Sequence, residues 1–244
     1  MNNGIGKDKK NKKNKKNNIY YSLKFIIIGD AFVGKTNIIN VFKNGEFSKE
    51  YKMTISMSFL SCNVKIYDKI FHLNLWDTAG SEKYKSITRG YYNNSTCAIV
   101  VYDISKKKSF DSVREWIEEC KYYTNDKIHL VLVGNKQDLN EERKVSYIEG
   151  KSLADEYGMV FFEASAMTGY NINEIFYDSC RQINEKIEKN FYDLEDPSNL
   201  IKINKILNGI TINKAIENPF SGNQSFDENK FSNKKKEKKN VIAK

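Results

Sequence analysis

The segment Gly29-Asp30-Ala31-Phe32-Val33-Gly34-Lys35-Thr36 sets two glycines with four residues between them, then Lys and Thr. That spacing suits the holding of a phosphate chain. Glycine permits the angles with which successive backbone N–H groups turn inward, and it lets the backbone approach closely. A helix starting at Lys35 adds unsatisfied N–H groups and the positive end of its dipole. Lys35 then reaches the β- and γ-phosphates, and the Thr36 hydroxyl ligates Mg²⁺. The motif implies a nucleoside triphosphate and leaves the base open.

The base is chosen by Asn135-Lys136-Gln137-Asp138. The Asp138 carboxylate accepts from both N1–H and the 2-amino group of guanine. Adenine offers no such pair of donors and would leave the acid unpaired, which is what makes such a site discriminate. The Lys136 stem lies along the base plane, and Asn135 ties neighbouring loops together. A third segment, Trp76-Asp77-Thr78-Ala79-Gly80, offers an acid that holds Mg²⁺ through water and a Gly80 N–H that senses the γ-phosphate. A contact made to GTP and lost on hydrolysis is the basis of a switch.

These residues need strands to carry them. Leu23–Ile28 is a short apolar run with three consecutive Ile, the pattern of a buried strand, and helical periodicity follows over Lys35–Lys43. Met57–Ile66 and Ile70–Trp76 are β-rich runs joined by three residues, hence an antiparallel hairpin. Cys97–Tyr102, Ile128–Val133 and Met159–Phe162 are further buried strands; Ser109–Tyr123, Ser146–Tyr157 and Ile172–Lys189 read as helices. Ser146 with Glu149 fits a capping box. The alternation implies an α/β fold: a mostly parallel six-stranded sheet with one antiparallel edge pair and helices on both faces. Ligands in such sheets bind beyond the carboxyl ends of the strands, and that is where the three motifs fall.

The formal net charge of +9 is uneven. Residues 1–18 carry seven Lys and one Asp, residues 184–244 twelve Lys and nine acids, and residues 19–183 balance at 21 of each sign. A nucleic-acid-binding domain would carry the excess on its folded face, so nucleic acid is disfavoured as a ligand. Four cysteines, Cys62, Cys97, Cys120 and Cys180, match no zinc or disulfide framework and read as reduced thiols of a cytosolic protein. No signal peptide and no transmembrane run is evident. Residues 1–18 are an Asn/Lys-rich extension expected to be disordered, 19–189 form the domain, and 190–244 read as a flexible tail in which Ile201–Ile216 has some helical periodicity. His72 and His129 read as ordinary strand residues, and Asp103 as a structural one.

The three motifs, in this order, resemble the Ras superfamily of small GTPases over residues 20–185, and within it the Rab family. Thr54-Ile55-Ser56-Met57-Ser58-Phe59, Lys83-Tyr84-Lys85-Ser86-Ile87-Thr88 and Val101-Tyr102-Asp103-Ile104-Ser105 carry the Rab likeness. The resemblance implies a P-loop GTPase domain that binds GTP or GDP with Mg²⁺, with switch I over 45–59 and switch II over 77–92. It implies that Thr54 joins Thr36 on Mg²⁺ and touches the γ-phosphate. Ser165, Ala166 and Met167 fall on the last base-contacting loop. Phe59, Trp76 and Tyr91 fall on an effector-facing aromatic triad, with plain core packing as the alternative. Catalysis would rest on Lys35, Thr54, Gly80 and the residue that follows it. The partners implied are effectors of vesicle and protein transport, an exchange factor and an activating protein, met by a monomer.

Four positions depart from the family pattern. Ser81 stands where the family has the Gln that orients the attacking water, so slow intrinsic hydrolysis is expected. Its alternative is a GTP-binding interaction module with negligible hydrolysis. Phe32 replaces a small residue; it either faces solvent or obstructs an activating partner. Met167 replaces Lys at a position whose contact is made by backbone, so guanine binding is expected to survive. No Cys follows Cys180 to receive a prenyl group, and Asn2 gives no myristoylation site. The Lys-rich ends then either favour anionic membranes weakly, at about 1 kcal/mol per Lys, or merely keep the chain soluble. The expected location is the cytoplasm and the cytosolic face of endomembranes.

Overall fold

The computed structural model describes residues 19–49, 58–78, 90–194 and 201–205. The chain forms β1 (Ile19–Ile28), α1 (Lys35–Asn44), β2 (Ser58–Ile66), β3 (Lys69–Asp77) and β4 (Cys97–Asp103). It continues with α2 (Lys107–Asp111), α3 (Val113–Tyr123), β5 (His129–Asn135), a 3-10 turn over Gln137–Glu142, α4 (Tyr147–Glu156), β6 (Val160–Glu163), α5 (Ile172–Glu188) and β7 (Ile201–Lys205).

Six strands lie in the order β2-β3-β1-β4-β5-β6. The β2–β3 pair is antiparallel and the other neighbours are parallel. β4 and the interior of β5 are apolar because both faces are covered. On β1, Leu23, Phe25 and Ile27 face α1 and α5, where Ile38, Phe42, Phe176 and Ile183 complete one core. Ile26 and Ile28 face α3 and α4 and pack with Trp116, Ile117 and Leu153 in the other. The capping box holds: Ser146 Oγ accepts from the Glu149 N–H at 3.2 Å, and Glu149 Oε2 accepts from the Ser146 N–H at 2.8 Å.

Three expectations are corrected. The sheet has seven strands, not six, because Ile201–Lys205 pairs antiparallel with Ile19–Leu23. That segment opens the Ile201–Ile216 stretch in which some helical periodicity is read, of which residues 201–205 are described. An apolar residue at every second position suits a strand as well as a helix turn, and the free edge of β1 below β4 supplies the partner. The tail reading of 190–244 therefore fails for Ile201–Lys205, and Tyr192 and Ile201 are buried in the core. Finally, Ser109–Tyr123 is not one helix: it starts at Lys107 and breaks at Ser112 between α2 and α3. No helix among the described residues is long and apolar enough to cross a membrane.

Candidate nucleotide site

β1 delivers the chain to the phosphate loop, and Gly29 and Gly34 shape it with φ of 136° and 101°. Both values are strained for any residue with a Cβ. Space is lacking too: a Cβ on Gly29 would sit 2.2 Å from Val101 O, and one on Gly34 would sit 2.4 Å from Asn135 Nδ2. α1 begins at Lys35, and its N-cap Gly34 supplies no side-chain cap. Lys35 Nζ donates to Gly29 O and Asp30 O, each at 2.8 Å, and is buried. Burial pushes its ammonium down to about 8, against the upward pull of Asp77 and Asp30. Such a cation, wrapped in its own loop, loses most by being left without an anion.

Asp30 Oδ1 accepts from Trp116 Nε1 at 2.8 Å, which pins the loop to α3. Ala31 is half-buried and Val33 is buried. Phe32 is 50% exposed, as a solvent-facing side chain should be, and its φ of 65° is the left-handed region.

Across the sheet, β3 ends at Asp77. Thr36 Oγ1 donates to Asp77 Oδ2 at 2.6 Å. Burial raises the Asp77 carboxyl, while the Thr36 bond and Lys35 oppose the rise. Asp77 Oδ1 is buried with no hydrogen-bond partner among the described residues. A hydroxyl and a carboxylate whose second oxygen is without a partner form a hard-donor set that fits Mg²⁺.

The loop expected to read the base is built on the ends of β4 and β5. Asn135 Nδ2 donates to Val33 O at 2.8 Å, and Asn135 Oδ1 accepts from the Ala166 N–H at 3.2 Å. One buried side chain thus joins the phosphate loop to the last loop. Ser165 Oγ donates to Asp138 Oδ1 at 2.5 Å and accepts from the Thr168 N–H at 3.1 Å, which fixes the carboxylate plane. Lys136 takes φ 68°, and its Nζ lies 2.7 Å from Asp103 Oδ2. Met167 is 52% exposed.

The aromatic residues also meet. The rings of Phe59 and Trp76 lie 5.3 Å apart, and those of Trp76 and Tyr91 lie 5.9 Å apart. Phe59 is 52% exposed, while Trp76 is partly buried against the core. Thr54, Gly80 and Ser81 lie outside the described residues, as do 50–57 and 79–89 of the two switch segments.

Three contributors were missed from sequence. Asp103 looked structural but holds Lys136; its place opposite Asn135 in the β4–β5 register, at a strand's carboxyl end, was the available signal. Thr78 Oγ1 donates to Ile27 O at 2.7 Å and fastens the end of β3 to β1. Trp116 gave no signal, since a tryptophan on an apolar helix face reads as core.

Comparison with known proteins agrees with this geometry. The family model described as "Ras family" matches residues 24–185. The chain is 42% identical over 167 residues to "Ras-related protein Rab-2B" of Dictyostelium discoideum, which spans 68% of this chain and 83% of that protein. With the phosphate loop, the base loop and Asp77 converging at one end of a mostly parallel sheet, the chain belongs to the Rab family of small GTPases within the Ras superfamily.

Proposed function

We propose that this protein is a slowly hydrolysing GTP switch that governs a step of vesicle traffic by offering effectors a GTP-dependent surface. The observation that carries the reading is the pair of hydrogen bonds made by the Asn135 side chain, which ties the phosphate loop to the last loop. Asp138, oriented by Ser165, selects guanine; Lys136, Ala166 and Met167 border the base. The amides of residues 29–36 and Lys35 stabilise charge on the transferring phosphoryl group.

A bound Mg²⁺ would supply positive charge against the phosphate chain, and the hydroxyl and carboxylate donors of this chain would hold it. Thr36 and Thr54 are its ligands in this reading, with Asp77 acting through water. Gly80 senses the γ-phosphate through its N–H. No side chain acts as general base, and Ser81 is too short to orient water as Gln does. Phe59, Trp76 and Tyr91 meet the effector. An exchange factor and an activating protein set the rates, with the monomer working in the cytoplasm and on the cytosolic face of endomembranes.

Ser81 also favours a second reading, a GTP-binding module with negligible hydrolysis. Single-turnover hydrolysis of bound GTP, beside a Ser81→Gln variant, tests both. A slow wild type and a variant about tenfold faster, a change of about 1.4 kcal/mol in barrier, support the switch. Hydrolysis undetectable in the wild type supports the module. A wild type already as fast as the variant overturns the role given to Ser81.

A further inference from the structure

Asp30, the second residue of the phosphate loop, sets an acid in a loop whose shape suits an anion. Its backbone helps the site, since Asp30 O accepts from Lys35 Nζ at 2.8 Å. Its carboxylate is a difficulty. A like charge beside a phosphate chain repels it, and the repulsion grows as water is excluded between them.

The fold gives that side chain a definite direction. α1 packs on the face of the sheet lined by Leu23, Phe25 and Ile27, and α3 on the face lined by Ile26 and Ile28. Trp116 of α3 is buried, and its Nε1 donates to Asp30 Oδ1 at 2.8 Å. The carboxylate is thus turned toward α3, across the sheet from α1. A second side chain holds the loop three residues on, where Asn135 Nδ2 donates to Val33 O at 2.8 Å. Ala31 and Phe32 lie between the two anchors.

The choice of donor is informative. An indole has one N–H and carries no charge. It satisfies the carboxylate without bringing in a cation that would compete with Lys35 for the ligand. A hydrogen bond to a carboxylate is also about twice as strong as one between neutral groups.

We propose that Trp116 is a positioning residue for the nucleotide: its indole N–H holds the Asp30 carboxylate away from the phosphate chain. Without that bond the carboxylate swings toward the phosphates, and a loop built to attract an anion partly repels it. GTP carries more charge than GDP and suffers more. Salt screens the repulsion. The inference rests on the reading of a GTP switch and deepens it.

The test uses the full chain with Trp116→Phe, which keeps a ring in the core and removes the N–H. Should it not fold, the tryptophan analogue with sulfur in place of the N–H is incorporated at position 116. Affinities for GDP and for a non-hydrolysable GTP analogue are measured at low and high salt, with residue 30 as Asp and in an Asp30→Asn background. The chain has two tryptophans, Trp76 and Trp116, so Trp76→Phe assigns their indole N–H resonances.

Trp116→Phe should weaken GDP about tenfold and the GTP analogue more, with a smaller penalty at high salt. In the Asp30→Asn background the penalty should fall below about threefold. The Trp116 indole proton should move upfield in Asp30→Asn, since an amide oxygen draws it less than a carboxylate does. Equal penalties in the two backgrounds overturn the proposal, because the indole then only packs. So does a penalty that salt leaves unchanged, or an unmoved Trp116 resonance. Failure of the unmodified chain to bind GDP sinks the switch reading and the proposal with it, whereas an unweakened variant sinks the proposal alone.

Discussion

Lys136 Nζ lies 2.7 Å from Asp103 Oδ2, so the proposed base-reading loop is tied to the end of the neighbouring strand. Asp103 is fully buried, and its other oxygen accepts from the Ser105 N–H at 2.9 Å and the Ser105 hydroxyl at 2.7 Å. Removing the acid strands a mostly buried ammonium at the edge of the guanine site. Asp103→Ala should therefore cost about 2–4 kcal/mol in urea unfolding and speed the release of fluorescent GDP. Unchanged stability and release would make the pair incidental.

Asn135 carries two buried bonds to two different loops. Asn135→Ala leaves Val33 O and the Ala166 N–H without it, at a cost of about 2–3 kcal/mol. The sharper expectation concerns release rates. GDP and a base-free triphosphate mimic should both leave faster, because the phosphate loop loses its tie as well as the base loop. An effect confined to GDP would restrict Asn135 to the base.

Gly29→Ala tests how tightly the loop is packed. The new Cβ would lie 2.2 Å from a backbone oxygen, Val101 O, which has no rotamer by which to retreat. Thermal unfolding should show a loss of more than about 2 kcal/mol, with weaker GDP binding. A variant that unfolds and binds as the wild type does would mean the sheet can give way at this point.

His129 makes stability pH-dependent. Burial, and then the charge of Lys186, push its imidazole down to about 3, so it is neutral in the folded chain. The unfolded chain takes up the proton below its ordinary value near 6.5. The folded state is thus fully favoured above pH 6.5 and loses ground as pH falls toward 3, by about 1.4 kcal/mol per unit. Urea midpoints at pH 7.5 and 5.5 should differ for the wild type, and the difference should shrink in His129→Gln. Equal slopes in the two proteins would clear His129 of the effect.

Most of the nucleotide site was legible because its chemistry is local. A phosphate loop needs glycines at fixed spacing, and a guanine reader needs an acid at the end of a strand. Asp103 and Trp116 were hidden for the opposite reason. Their partners, Lys136 and Asp30, lie far along the chain, and only strand register and helix packing bring each pair together. Continuous apolar runs pointed to the strands of the parallel core, since burial on both faces leaves few other readings. Pattern alone did not settle Ile201–Lys205, where strand or helix is decided by whether an open edge waits nearby. That edge is a property of β1 and β4, whose unequal lengths no local pattern reports.

The unequal lengths have a further consequence. β4 covers only Phe25–Ile28 of β1, and β7 covers Ile19–Leu23 on the same side. Without β7, the amides and carbonyls along Tyr20–Leu23 would lie open beside apolar side chains, the kind of border that recruits strands from other molecules. The returning segment therefore acts as a selvedge. A chain cut before Ile201 would keep its nucleotide chemistry but gain a seam for self-association, and its solubility would become concentration-dependent.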